Sequence, residues 1–162
     1  MGIAIPQVIT NRSGAQVIDG RLLFEGSTKT TELNVSQYLT RTPSTAGNRR
    51  MFTISYWVKR CKLSDTQYPF EAGEADNATQ RWITRFDSGD TFLVTRGGTA
   101  DKRSSAVYRD VNGWYHVCVA VDTNNATAAD RFKIYMNGER ITDFANSTNP
   151  GAGDLLAVNN TE

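Results

Sequence analysis

A chain of 162 residues falls within the range of a single domain. With 18 Lys+Arg against 17 Asp+Glu the net charge is +1, too even a balance for a general nucleic-acid binder. Apolar residues make up 39% and the mean hydropathy is −0.45, which supports one packed core and excludes a membrane-spanning helix or membrane insertion. The single histidine, His116, also rules out a two-His zinc site within one chain and leaves any His-based triad dependent on that residue.

In chain order, the first residues carry no basic start, long apolar stretch or cleavage site and read as mature sequence. Pro6 stands where a myristoylation motif wants Ser or Thr. Ile3, Ile5, Val8 and Ile9 suggest an N-terminal arm, assigned to residues 1–15, that orders on a neighbouring subunit, with the globular domain at 16–162. Weak strand signals follow at 21–25 and 35–40. Residues 51–59 give the strongest pattern: Phe52, Ile54, Tyr56 and Val58 alternate with Thr53, Ser55, Trp57 and Lys59 at the period of a strand. Arg49, Arg50, Lys59, Arg60 and Lys62 bracket it and read as solvated strand ends. Further strands are predicted at 68–72, 81–86, 91–96 and 104–109, with Ser88-Gly89-Asp90 as a hairpin turn.

Residues 114–122 place Tyr115, Val117, Val119 and Val121 on one face and Trp114, His116, Cys118 and Ala120 on the other, predicting a central strand covered on both sides. Residues 124–130 hold at most one helical coil. Strands at 131–136 and 139–144 flank Asn137-Gly138, the strongest short hairpin signal, because a type I′ turn needs positive φ at both central residues. Residues 154–158 are expected to begin another strand. Cys61 and Cys118, with no CxxC pair, read as two buried thiols. Six Asn-x-Ser/Thr stretches, at Asn11, Asn34, Asn77, Asn125, Asn146 and Asn159, read as turn chemistry. Nine or ten short strands with almost no helical periodicity predict an all-β antiparallel sandwich or barrel.

Three segments in order, Phe52-Thr53-Ile54-Ser55-Tyr56-Trp57-Val58-Lys59, Trp114 through Asp122, and Ile134-Tyr135-Met136-Asn137-Gly138-Glu139, resemble the concanavalin A-like, laminin G-like jelly-roll family. The resemblance implies a two-sheet jelly-roll sandwich with Phe52, Ile54, Trp57, Trp114, Val117, Val119 and Ile134 in its core and Asn137 and Gly138 at the hairpin turn. It also implies that the closing C-terminal strands are lacking, so that a longer parent chain or a neighbouring subunit completes the fold. Tyr38-Leu39-Thr40-Arg41-Thr42-Pro43 with Gly47-Asn48-Arg49-Arg50 is similar to a version in virion proteins of tailed phages. That likeness implies a non-enzymatic capsid decoration, knob or fibre head on the virion surface, assembled in the host cytoplasm, with capsid or tail subunits as partners and host surface glycans as further ones.

The alternative reading is a lectin-like adhesion module, for which Trp82, Tyr68 and Tyr108 are the sugar-stacking candidates. No cofactor is expected. Calcium, which related domains hold at the sandwich rim, would fall to Asp122 or Asp130, with Asp87 and Asp90 as further rim aspartates. Catalysis finds little support: His116 has no evident nucleophile and orienter, Glu71, Glu74 and Asp76 read as a solvated loop, and the Glu-x-Asp-x-x-Glu strand of jelly-roll glycosidases does not occur.

Overall fold

The computed structural model describes residues 39–73, 81–97 and 99–161. By contacts the chain divides into two units, Met1–Arg41 and Thr42–Glu162, and every described strand belongs to the second. The arm assigned to residues 1–15, the strand expected at 21–25 and nearly all of that expected at 35–40 lie outside the described residues.

The described strands are β1 (Met51–Val58), β2 (Gln67–Ala72), β3 (Trp82–Phe86), β4 (Thr91–Arg96), β5 (Thr99–Val107), β6 (Tyr115–Asp122), β7 (Phe132–Met136), β8 (Glu139–Arg140) and β9 (Phe144–Ser147). They form a four-stranded sheet in the order β1-β6-β7-β8 and a five-stranded sheet in the order β2-β3-β4-β5-β9, with antiparallel pairing throughout. This is the two-sheet, all-β sandwich expected of a jelly roll, with one 3-10 turn at Ala128–Asp130 as its helical element among the described residues.

Alternation in β1, β6 and β7 builds one wall of the core. Register sets Ile54 opposite Val119 and Val119 opposite Ile134, so three buried aliphatic side chains form a row across the sheet. A parallel row runs from half-buried Phe52 through Val121 to Phe132. The other wall supplies Trp82, Phe86, Phe92 and Val94. Trp82 meets Phe52 at 5.6 Å and Phe132 at 4.9 Å between ring centroids, both edge to face, and so joins the two sheets at the core centre. The Tyr56 hydroxyl lies 2.7 Å from Thr84 Oγ1 on the opposite sheet, and burial pushes its phenol pKa well above the usual value.

Asn137 (φ 53°) and Gly138 (φ 87°) make the tight turn between β7 and β8 in the positive-φ geometry that their residue types favour. The strand expected over 139–144 divides. Glu139 and Arg140 stay with β7, whereas Phe144–Ser147 crosses to pair with β5, setting Asn146 opposite Arg103. Phe144 there lies under the Lys102 ammonium, 4.9 Å from the ring centroid.

Three further expectations are corrected. Trp57 is exposed rather than in the core, because it shares the outward parity of Met51, Thr53 and Ser55. Trp114 is half-buried and stands outside the core cluster, one residue before β6 begins. β6 is central, but its outward residues are half-exposed; strands buried on both faces are β3 and β4 instead.

The tail forms no strand at 154–158. Leu156, Ala157 and Val158 bury their side chains in the core while the backbone is tied to the segment before β1. The Leu156 N–H donates to Arg49 O at 3.1 Å, the Gly47 N–H to Asn159 O at 2.9 Å, and the Arg49 guanidinium to Leu156 O at 2.7 Å. Core closure that had been expected from outside the chain is thus supplied in part by its own last residues.

Candidate functional site

Carboxylates and the histidine decide what chemistry the surface offers. Glu71 pairs with Arg81, Asp87 with Arg103, and Asp154 with Arg96. Asp87 also organises the β3–β4 turn, accepting from the N–H of Gly89 and of Thr91 at 3.0 Å each. Glu74 and Asp76 lie outside the described residues. His116 Nε2 lies 2.9 Å from Ser55 Oγ, and its ring lies beside that of Trp57, 4.9 Å between centroids and tilted by 36°. Its backbone N–H donates to Asn137 Oδ1 at 2.8 Å, so the hairpin turn fixes this part of β6.

The calcium candidates are occupied otherwise. Asp122 accepts from the Asn124 N–H at 3.0 Å as a turn cap. Asp130 pairs with Arg140 at 2.8 Å and Lys133 at 3.6 Å, and Arg140 above all holds its carboxyl below the usual carboxylate range. No group of three His, Cys, Asp or Glu side chains gathers among the described residues.

The basic group around β1 is not uniformly solvated. Arg60 has a side chain 0% exposed and donates to Gln67 Oε1 at 3.0 Å, Tyr108 O at 2.6 Å and Lys62 O at 3.1 Å, with Asp90 Oδ1 at 3.0 Å. Its guanidinium also covers the Phe86 ring at 4.9 Å. Asp90 is held below the ordinary carboxylate range by the Ser64 N–H first, then by Arg109 and Arg60. The thiols are corrected likewise: Cys61 is exposed and Cys118 half-exposed on the outer face of β6, both unbridged.

Depressed folded-state values for Asp90, Asp130 and Asp154 fix the sign of the pH response. At acid pH the unfolded chain takes up more protons than the folded one, so their stabilisation is present above about pH 4 and lost as pH falls further. Urea midpoints are expected to stay level between about pH 5 and pH 8 and to drop steeply below about pH 4, with the drop shallower in Asp154→Asn. A midpoint unchanged at pH 3 contradicts this.

Of the sugar-stacking candidates, Trp82 is 0% exposed and is removed by burial. Tyr108 is half-buried, edge-on to Phe86 and Tyr115. Tyr68 is 51% exposed, on β2. Trp57, expected in the core, is instead 58% exposed on the outer face of the four-stranded sheet. Beside it the register sets His116, Ser55, Cys118 and Tyr135, with Arg140 opposite Tyr135. The result is a sheet face on which Ser55 and Cys118 lie among Trp57, Tyr135 and Arg140, residue types that dominate binding energy at interfaces.

A laminin G-type family model, described as the concanavalin A-like lectin/glucanases superfamily, matches residues 33–160. The chain belongs to this superfamily. Its description spans sugar binders and glycoside-cleaving enzymes, and the two antiparallel sheets are those of a concanavalin A-like jelly roll. No curated protein and no solved structure matches the chain.

Proposed function

We propose that this concanavalin A-like domain is a non-enzymatic contact module displayed on the surface of a phage particle, with capsid or tail subunits as its partners. The observation that carries the contact reading is exposed Trp57, its ring against that of His116 and beside Ser55 and Cys118. Such a face is suited to another protein surface: its aromatic and Arg groups are held by the sheet, so little side-chain entropy is lost on docking. Ion pairing favours contact over catalysis, because Glu71, Asp87, Asp90 and Asp154 are each neutralised by an arginine. The particle assignment draws on the likeness of residues 38–43 and 47–50 to tailed-phage virion proteins. Protein content of purified particles tests it: the wild-type chain is expected in fixed copy number, and Trp57→Ala is expected to be depleted.

A second reading, glycan binding, is favoured by Tyr68, whose ring is half-exposed at the five-stranded sheet. On that reading the particle-borne domain adheres to host surface glycans through this other sheet.

A further inference from the structure

The four strands that end the two sheets differ in how they are guarded. β2 carries Pro69, Glu71 and a register shift between Gln67 and Phe70. β8 is two residues long, both charged, and β9 has four residues, paired across a shift between Arg103 and Ser104. Features of this kind keep an edge from adding a further strand. β1 has none of them. Its eight residues, Met51–Val58, include no proline and no charge, and their register with β6 is unbroken. It ends the order β1-β6-β7-β8, with no strand on its far side among the described residues.

The Thr123 N–H donates to Arg50 O at 2.9 Å, which sets the phase of the β1–β6 ladder. Bonded and non-bonded pairs alternate along an antiparallel ladder, so Phe52, Ile54, Tyr56 and Val58 bond inward to β6. Thr53, Ser55 and Trp57 therefore aim their N–H and C=O groups at the open edge. The core is unfinished along the same line. In its cross-strand rows the β6 and β7 members are all buried, Tyr115, Val117, Val119 and Val121 on one strand and Phe132, Ile134 and Met136 on the other. Of the β1 members only Ile54 is buried, and Phe52, Tyr56 and Val58 stay partly exposed.

Charge decides what kind of strand fits. Residues 39–64 hold no Asp or Glu, and Arg50 and Lys59 stand exposed at the two ends of β1. Asp122, opposite Met51, is one strand further in and caps the turn at Asn124. A second copy paired antiparallel through Ser55 would bring Arg50 of each beside Lys59 of the other, basic against basic at both ends, which disfavours self-pairing. We infer that the open edge of β1 takes up an extended segment of a partner protein as a fifth strand, acidic at both ends and apolar at alternate positions. Its backbone pairs with Thr53, Ser55 and Trp57, its end carboxylates meet Arg50 and Lys59, and its apolar side chains cover Phe52, Tyr56 and Val58. This rests on the contact reading and gives the partner a chemistry.

Fluorescence anisotropy tests it, with the full chain titrated into a labelled decapeptide of alternating Val and Thr that carries Asp-Glu at each end. A peptide with the same centre and Lys-Lys ends is the comparison, and amide hydrogen exchange locates the contact. The acidic peptide is expected to bind about tenfold or more tighter than the basic one, to weaken with salt, and to slow exchange at Thr53, Ser55 and Trp57. Thr53→Pro removes an outward N–H and leaves the bonds to β6 in place; it is expected to lower affinity by about tenfold, and Lys59→Gln by about threefold. Binding of neither peptide, or binding without change at those three amides, overturns the added strand and leaves the contact reading to the Trp57→Ala particle test. Equal retention of Trp57→Ala in particles, with the acidic peptide still bound at β1, overturns the contact reading alone. Equal binding of both peptides overturns the acidic partner. Edge amides already protected in the free monomer assign the edge to the chain's own residues, and a sedimenting dimer that Thr53→Pro dissolves assigns it to a second copy; either overturns the partner strand.

Discussion

Replacing Trp82 with alanine is expected to destabilise the domain by about 3–5 kcal/mol, the range for deleting a large aromatic from a packed core. Trp82, on the five-stranded sheet, has no exposed surface and touches two aromatic rings of the opposite sheet, Phe52 on β1 and Phe132 on β7, so its removal opens a cavity where the walls meet. Collapse into that space is limited, since Phe52 and Phe132 are fixed in one cross-strand row with Val121 between them. Trp82→Phe is expected to cost much less: most of the apolar contact remains, and the indole N–H that it deletes has no hydrogen-bond partner to leave stranded. Urea denaturation separates the two variants, and a Trp82→Ala midpoint equal to wild type contradicts the placement of this side chain at the core centre.

Arg60→Ala is expected to be the second large effect, about 3 kcal/mol or more. The substitution removes donors from Gln67 Oε1 and from the carbonyls of Tyr108 and Lys62, and it strips the cation from the face of Phe86. It also leaves the Asp90 carboxylate, almost inaccessible, with Arg109 as its remaining cation. Arg60→Lys is not expected to rescue, because one ammonium cannot match acceptors that a planar guanidinium reaches in several directions. Lys62→Ala, two residues away, removes an exposed pair with Asp65 and is expected to leave the midpoint unmoved. Thermal melting of the three variants checks the order; equal midpoints for Arg60→Ala and Lys62→Ala contradict it.

These two side chains also mark what the sequence made legible. Alternation in residues 51–58, 115–122 and 132–136 located β1, β6 and β7, because a two-residue period states directly which side chains face the core. The Asn137-Gly138 turn was equally local, since its φ values are a property of the two residues themselves. Trp57 could have been placed by the same parity: it alternates with Tyr56 and Val58 and belongs with Ser55, whatever the size of its ring. Burial of Arg60 was not readable, because its acceptors come from Tyr108 and Asp90, far along the chain. The same is true of the tail. Leu156–Val158 has the composition of a strand, but its backbone partners lie among residues 47–49, so it enters the core as an irregular segment. At the candidate sites, Tyr68 was legible as an exposed aromatic.

What links the parts is a division of labour between faces. Between the sheets lie Trp82 and its aromatic neighbours, which hold the fold. At the rim, arginine–aspartate pairs fix the turns. On the outer face of the four-stranded sheet, Trp57 remains exposed although an apolar core lies one strand-thickness away, and on the proposed contact reading the cost of exposing so large a ring is recovered when a partner docks.

On the proposed reading a phage encodes this chain, and the most direct test of that account is quantitative mass spectrometry of its purified particles, in wild-type form and with Trp57→Ala. The account predicts the wild-type chain at a fixed copy number per particle and the variant, folded to the same melting midpoint, depleted by about tenfold or more. Absence of the wild-type chain from the particles, or equal retention of the variant, contradicts it.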